Sequence, residues 1–422
     1  MHINEYDNSG SFKVFSKSYY GKIGYYGFEV KKLAVPSSIQ QIAVFTSPRK
    51  TFLGFNSLSV ISGEIAAMNI KKLLIVTDTG MVKLGYVDRV QGLIHDMNVE
   101  VYDRCAQEPS LNDLEELAST VKERNYDAVL GIGGGSAMDS AKIASFTATN
   151  LGPISDYTGE DKIQRKGLPL ICVPTTSGTG SEVTRFTVIA YERTKRAIAS
   201  NLIMPDIAIV DPMLTVSMPP KLTAYTGVDA LAHAVEAMIS LWATPFTDAL
   251  ALAAIKWVFQ YLKRAAFNGH DLEARYHMSL AATTAGLSFN NPRIVLAHSI
   301  GQMIGPTYGI PHGLSVALAL PYTLDFYLPT SAGKIALISE AAGVYDPEKT
   351  EEGNAKALVE KLFQFYQELG LPLSLRELRV PFNALDKLAE DTVTMQPRRN
   401  SPIQFTKENL LKVYEKIWKG EV

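Results

Sequence analysis

Asp229, His233, His298 and His312 are the residues whose types and spacing best support chemistry. Asp229 and His233 stand four apart in GVDALAHAVEA, so a helix carries both on one face. His298 lies in VLAHSIGQMIG and His312 in the turn-like GIPHG. One carboxylate and three imidazoles can hold one borderline divalent metal with a position left open. A buried Asp or His without partners is costly, and a shared cation removes that cost. An open metal position next to a nucleotide loop would mean Lewis-acid chemistry on a small oxygenated substrate.

Two loops could supply the nucleotide site. In GIGGGSAMDSAK (131–142), Gly133, Gly134 and Gly135 follow the strand-like AVLGI and precede a helix. Glycines let the backbone approach a pyrophosphate, and the helix N-terminus supplies N–H groups. Ser136 and Asp139 have the spacing of a capping box, and Lys142 could reach a phosphate. A plain strand-to-helix turn would look the same, because a glycine triplet is weak evidence alone. The second loop, PTTSGTGSE (174–182), is rich in small hydroxyl residues and also follows a strand, LPLICV. An acid that accepts from an adenosine ribose is either Asp78, closing LLIVTD, or Asp156, about twenty residues past the glycines. Asp78 also suits a helix cap.

The elements that must position these groups change along the chain. Residues 1–45 form an aromatic, Gly-rich extension centred on SYYGKIGYYGFEV, suited to one or two short strands. Over 46–217, strands and helices alternate. LLIVTD, VEVYD, AVLGIGGG, LPLICVPTT and DIAIVDP read as strands; VDRVQGLIHDM, LNDLEELASTVKERN and SAMDSAKIASFTA read as helices; FTVIAYERTKRAIAS reads as a hairpin. That alternation predicts an α/β domain with a parallel sheet. MPP at 218–220 marks a boundary, and 218–422 reads as all-α, with amphipathic helices such as ALALAAIKWVFQYLKRAAF and KALVEKLFQFYQELG.

Bulk properties narrow the function classes. The 422 residues carry a net charge of −2, which points away from nucleic acid and membrane surfaces. Cys105 and Cys172 form no framework, as in a reducing compartment. MHINEYDNSG lacks signal-peptide character, and Pro321 and Asp325 break the apolar run LSVALALPYTLDFYL. A cytoplasmic protein is expected. The remaining histidines, His2, His95, His270 and His277, read as surface, terminal or structural residues.

The motifs together resemble the iron-dependent, or group III, alcohol dehydrogenases over roughly residues 45–420. GGGSAMDSAK is similar to that family's GGGSPxDxAK, with Ala137 in place of its proline. PTTSGTGSEVT, IAIVDPMLTVSMPPKLTAYTGVDALAHAVEA and AGLSFNN follow its other signatures. The resemblance implies a dehydroquinate synthase-like architecture, an α/β nucleotide-binding domain followed by an all-α metal domain. It implies Fe²⁺, or Zn²⁺, on Asp229, His233, His298 and His312. It implies NAD rather than NADP on the glycine loop, with Asp78 as the selecting acid. Thr175, Thr176, Thr179 and Lys195 match further cofactor positions, and Phe289 matches an aromatic of the substrate pocket. A small alcohol, diol or hydroxy acid and its carbonyl form are the expected substrates, in a homodimer or larger assembly. An NAD- and metal-dependent lyase of the dehydroquinate synthase type is the alternative.

Two departures from the pattern stand out. Gln302 occupies the place of a proton-relaying His, and Gln cannot titrate, so a weaker pH dependence near neutrality is expected. Arg293 stands where small residues are usual and could bind an acidic substrate.

Overall fold

The computed structural model describes residues 43–95, 97–191 and 194–421, together with two short strands near the start of the chain. Those two, β1 (Glu5–Tyr6) and β2 (Phe12–Lys13), pair antiparallel within a separate compact unit, residues 1–44. The segment SYYGKIGYYGFEV lies outside the described residues.

Residues 45–422 form the second unit. Its main sheet contains β3 (Lys50–Leu53), β4 (Lys72–Val76), β5 (Asn98–Tyr102), β6 (Ala128–Gly133), β8 (Leu170–Pro174) and β11 (Ile207–Val210). The order is β3-β11-β8-β6-β4-β5 and every pairing is parallel. All residues of β6, β8 and β11 are buried, which is why these strands read as unbroken apolar runs. Helices α1 (Ile61–Ala67), α2 (Thr79–Lys83), α3 (Tyr86–Gln91), α4 (Leu111–Arg124) and α5 (Gly135–Thr147) connect them. Apolar side chains of β4, β6 and β8 divide between two separate clusters, so the sheet has a core on each face.

Three details differ from the expectation. The hairpin forms, as β9 (Phe186–Tyr191) and β10 (Thr194–Ala199), but joins β7 (Gly159–Glu160) in a separate three-stranded sheet. α3 stops at Gln91, with Gly92 as its C-cap, short of the longer helix expected over VDRVQGLIHDM. The edge strand β3 gives no alternating signal, since its four residues are exposed or half-buried.

The second half is helical: α6 (Pro220–Ile239), α7 (Pro245–Phe267), α8 (Leu272–Phe289), α9 (Leu296–Tyr308), α10 (His312–Ala341), α11 (Glu351–Glu368), α12 (Leu385–Met395) and α13 (Lys407–Lys419). Pro219 and Pro220 open α6, where a missing N–H does no harm. α10 runs through Pro321 and Pro329, with non-helical backbone at Ser331. Among the described residues no helix is long and apolar enough to cross a membrane.

The two halves meet at glycines. A side chain at Gly178 would strike Thr226 of α6, and one at Gly180, where φ is +61°, would strike Gly286 of α8. Ser177 Oγ and Ser279 Oγ share a hydrogen bond of 3.1 Å across the same seam. The second loop is therefore clamped on α6, which carries Asp229 and His233, and on α8.

Candidate active site

Asp229, His233 and Glu236 occupy one buried face of α6, at spacing i, i+4 and i+7. His298 comes from the first turn of α9 and His312 is the first residue of α10. Gly309, with φ +66°, ends α9 and turns the chain so that both imidazoles face α6. Asp229 is the hub. Its Oδ1 lies 3.6 Å from His298 Nε2 and 3.9 Å from His312 Nε2, and its Oδ2 lies 3.9 Å from His233 Nδ1. One atom each from Asp229, His298 and His312 fall within 4.8 Å of one another. His233 stands beside that trio, its ring stacked 4.3 Å from Phe289 and 4.4 Å from His298.

These distances are too long for hydrogen bonds. Asp229 Oδ1, His233 Nδ1 and His298 Nε2 are all buried without a hydrogen-bond partner. Three convergent orphans in one place are a large cost unless a cation serves them together. Carboxylate plus imidazoles is a donor set suited to Fe²⁺ or Zn²⁺. The residues present therefore fit a divalent metal.

Electrostatics agree. Burial alone would raise the Asp229 carboxyl, but the His233, His312 and His298 imidazoles hold it well below the usual carboxylate range. Burial pushes His233 down to about 4, leaving it neutral with a free lone pair at pH 7. Burial also opposes charge on His298, but Glu236 and Asp229 outweigh it and push the ring up to about 9. The same two carboxylates that favour a proton there favour a metal ion in its place.

Glu236 was not among the residues singled out from the sequence. Its Oε2 takes the Nδ1–H of His298. Its Oε1 accepts from the backbone of Val295 (3.2 Å), Ala297 (2.6 Å) and His298 (3.4 Å). α9 has no side-chain cap of its own, so Glu236 caps it from another helix. The signal was present, because Glu236 continues the Asp229–His233 face by one more turn.

Gly313 sets His312. A Cβ there would overlap the Tyr225 carbonyl oxygen and lie 3.2 Å from Asp229 Cβ, so α10 docks directly on α6. Gly313→Ala will push the start of α10 off α6 and cost about 1–3 kcal/mol by overpacking. The expected result is a lower thermal midpoint together with weaker metal retention; a variant that keeps both contradicts the docking role.

The glycine loop forms a cradle. A side chain at Gly133, where φ is +148°, would meet Ala137 at 2.8 Å, and one at Gly135 would meet Thr179 at 2.8 Å. Thr176 lies 3.6 Å from the place of a Gly134 side chain. Thr175 is buried, its N–H bonded to the Gly133 carbonyl at 2.9 Å, so it ties the two loops together. This bare strand-to-helix corner suits a pyrophosphate. Asp78 caps α2 through Oδ1, bonded to Gly80 and Met81 N–H, while Oδ2 faces the glycine corner 3.6 Å from a Gly133 side-chain position. Asp156 is exposed beside Gly152 in a short 3-10 turn. Asp78→Asn preserves the cap but removes the charge. The expected outcome is a fall in kcat/KM with NAD relative to NADP, by about tenfold for one charge-assisted hydrogen bond; an unchanged ratio rejects Asp78 as the selecting acid.

Ser136, Asp139, Lys142 and Arg293 are placed differently from expectation. Ser136 and Asp139 make no capping box: Ser136 Oγ donates to the Gln107 carbonyl, and Asp139 accepts from Ser181 Oγ (2.6 Å) and Val188 N (2.9 Å). Lys142 is fully buried and bonded to Ser181, Thr184 and the Phe186 carbonyl, so it braces the second loop rather than reaching a phosphate. Lys195 pairs with Glu108 at 2.8 Å. Arg293 is held by both oxygens of Glu160 and lies 5.0 Å over the Trp242 ring, so its charge is already neutralised. Phe289 stacks on His233 and fixes that ring. His95 and His270 are exposed, and His277 stacks on Tyr261.

A sheet with a glycine cradle, joined to helices carrying a carboxylate–imidazole cluster, is an arrangement suited to an enzyme that uses a nucleotide and a metal. The chain belongs to the iron-containing alcohol dehydrogenase family, whose models match residues 48–212 and 223–418. It is 36% identical to long-chain-alcohol dehydrogenase 1 of Geobacillus thermodenitrificans, over 90% of this chain and 98% of that one. A solved 1,3-propanediol oxidoreductase superposes with a TM-score of 0.86 at 30% identity, covering 90% of this chain and all of that one. Sulfoacetaldehyde reductase from Bifidobacterium kashiwanohense, solved in complex with NAD⁺, gives 0.82 at 29% identity, covering 89% of this chain and 99% of that one. The dehydrogenase reading is thereby favoured over the lyase.

Proposed function

We propose that this chain interconverts a small alcohol and its aldehyde or ketone, using Fe²⁺, or Zn²⁺, and NAD in preference to NADP. The observation that carries this reading is the trio of orphaned buried atoms on Asp229, His233 and His298. A metal bound there would supply Lewis acidity toward a substrate oxygen, and a nicotinamide would supply or take up a hydride. Asp229, His233, His298 and His312 hold the cation, and Asp229 supplies the only negative charge among them. Phe289, buried against His233, narrows access for water. Gly133, Gly134, Gly135 and the Thr176 and Thr179 walls seat the cofactor phosphates, and Asp78 accepts from a ribose hydroxyl. Gln302, nearly buried one turn beyond His298, orients without carrying a proton. A cytoplasmic homodimer is the setting this reading adopts.

The test is turnover followed by nicotinamide absorbance with short alcohols, diols and hydroxy acids and their carbonyl forms. Activity with NAD that disappears on chelation and returns with Fe²⁺ supports the reading. Turnover indifferent to chelation rejects the metal; no turnover with any pair rejects the reaction.

A further inference from the structure

Arg398 presents a guanidinium that the protein leaves unsatisfied. It lies in the loop between α12 and α13, and burial works against its charge. Arginine offers five N–H donors and cannot lose its proton in a protein. Nη2 donates to Gln302 Oε1 at 3.0 Å and, less closely, to Gln396 Oε1 at 3.4 Å. Nε is buried with no partner. Among the described residues no carboxylate forms an ion pair with it. Glu236, whose field it feels, is engaged by His298 and three backbone amides. Arg293, by contrast, has Glu160.

The loop holding Arg398 is fixed from both halves of the fold. Gln396 donates to the Lys195 carbonyl of β10 at 2.9 Å and accepts from Ser299 of α9 at 3.0 Å. Asn400 Nδ2 bonds the Pro292 carbonyl (2.9 Å), the Ile294 carbonyl (3.1 Å) and Ser240 Oγ (3.0 Å). The side chain is thus carried on a rigid support beside Gln302, one turn from His298. Because a guanidinium only donates, the Gln302 oxygen must face it, and the Gln302 NH₂ points elsewhere as a second donor.

We propose that Arg398, with the Gln302 it orients, is an anion-recognising subsite, so that the preferred substrate is a small aldehyde or alcohol bearing a carboxylate or sulfonate. This rests on the dehydrogenase reading above. An oxyanion arriving with the substrate would give this half-buried guanidinium an acceptor of opposite charge, whereas a neutral chain would leave it only two amide oxygens.

The experiment compares succinic semialdehyde, sulfoacetaldehyde and butanal on the metal-loaded enzyme, wild type against Arg398→Met and Arg398→Lys. The wild type is expected to prefer a charged aldehyde, and Arg398→Met to lose about tenfold to hundredfold more kcat/KM with the charged aldehydes than with butanal. Arg398→Lys restores part of that difference. The better of the two charged aldehydes identifies carboxylate or sulfonate as the group. Independently of turnover, calorimetry on NADH-loaded enzyme should show 4-hydroxybutyrate or isethionate binding more weakly to Arg398→Met. Equal losses with all three aldehydes, no wild-type preference for charge, or weakened NADH binding itself would overturn the subsite. Butanal turnover without charge preference leaves the dehydrogenase reading standing. No turnover at all removes that reading, while the calorimetry still judges the subsite.

Discussion

Asp229→Asn will lose the metal and, with it, at least about a thousandfold of kcat/KM, equivalent to roughly 4 kcal/mol of transition-state stabilisation. The argument is electrostatic. Asp229 faces all three imidazoles, at 3.6–3.9 Å, and it is the sole negative charge within the proposed ligand set. Asn keeps the size and one acceptor oxygen but brings an amide NH₂ into a space that a cation should occupy. Metal stoichiometry after gel filtration gives the direct reading. Thermal unfolding gives a second: chelation should lower the wild-type midpoint, because a bound ligand stabilises only the folded state, and should leave Asp229→Asn unchanged. A variant that retains stoichiometric metal and turnover within tenfold of wild type would remove Asp229 from the ligand set.

Much of the α/β half was readable because its physics is local. β6 and β8 are buried along their whole length, so their sequences are apolar throughout, and each runs into a small-residue loop. α4 carries a true capping box, Ser110 with Asp113, at the start of its pattern. Asp229 and His233 were readable because a helix turns four residues into one face. The errors concern where long side chains point. The spacing of Lys142 from the glycines allows it to turn toward a phosphate or inward, and only the packing of Ser181, Thr184 and Phe186 decides for inward. Arg293 reached no acid near it in sequence; its partner Glu160 is 133 residues away. Ser136 and Asp139 have cap spacing, but Gly134 is the N-cap, which moves both two places into the helix. Arg398 sits in a loop with no period to read, and only the folded chain shows its neighbours.

Glu236 was missed for a related reason: a glutamate near the end of an Ala-rich helix normally faces water. Here it is buried and accepts only from donors, which makes it irreplaceable by its amide. On one side lie the N–H groups of Val295, Ala297 and His298, and on the other the Nδ1–H of His298. In Glu236→Gln, an NH₂ turned toward the ring requires Nδ1 to accept, which places the proton on Nε2 and removes the lone pair facing Asp229. An NH₂ turned the other way confronts the backbone donors of α9. Either arrangement weakens His298 as a ligand, and metal affinity is expected to fall about 10–100-fold. Glu236→Ala should also lose the helix cap, lowering stability by a further ~1–2 kcal/mol, so its metal-free midpoint should fall below that of Glu236→Gln. Competitive titration against a chelator of known affinity measures the first effect, and metal-free thermal unfolding the second. If Glu236→Gln binds metal within twofold of wild type, Glu236 is a structural cap alone and the tautomer of His298 is set by something else.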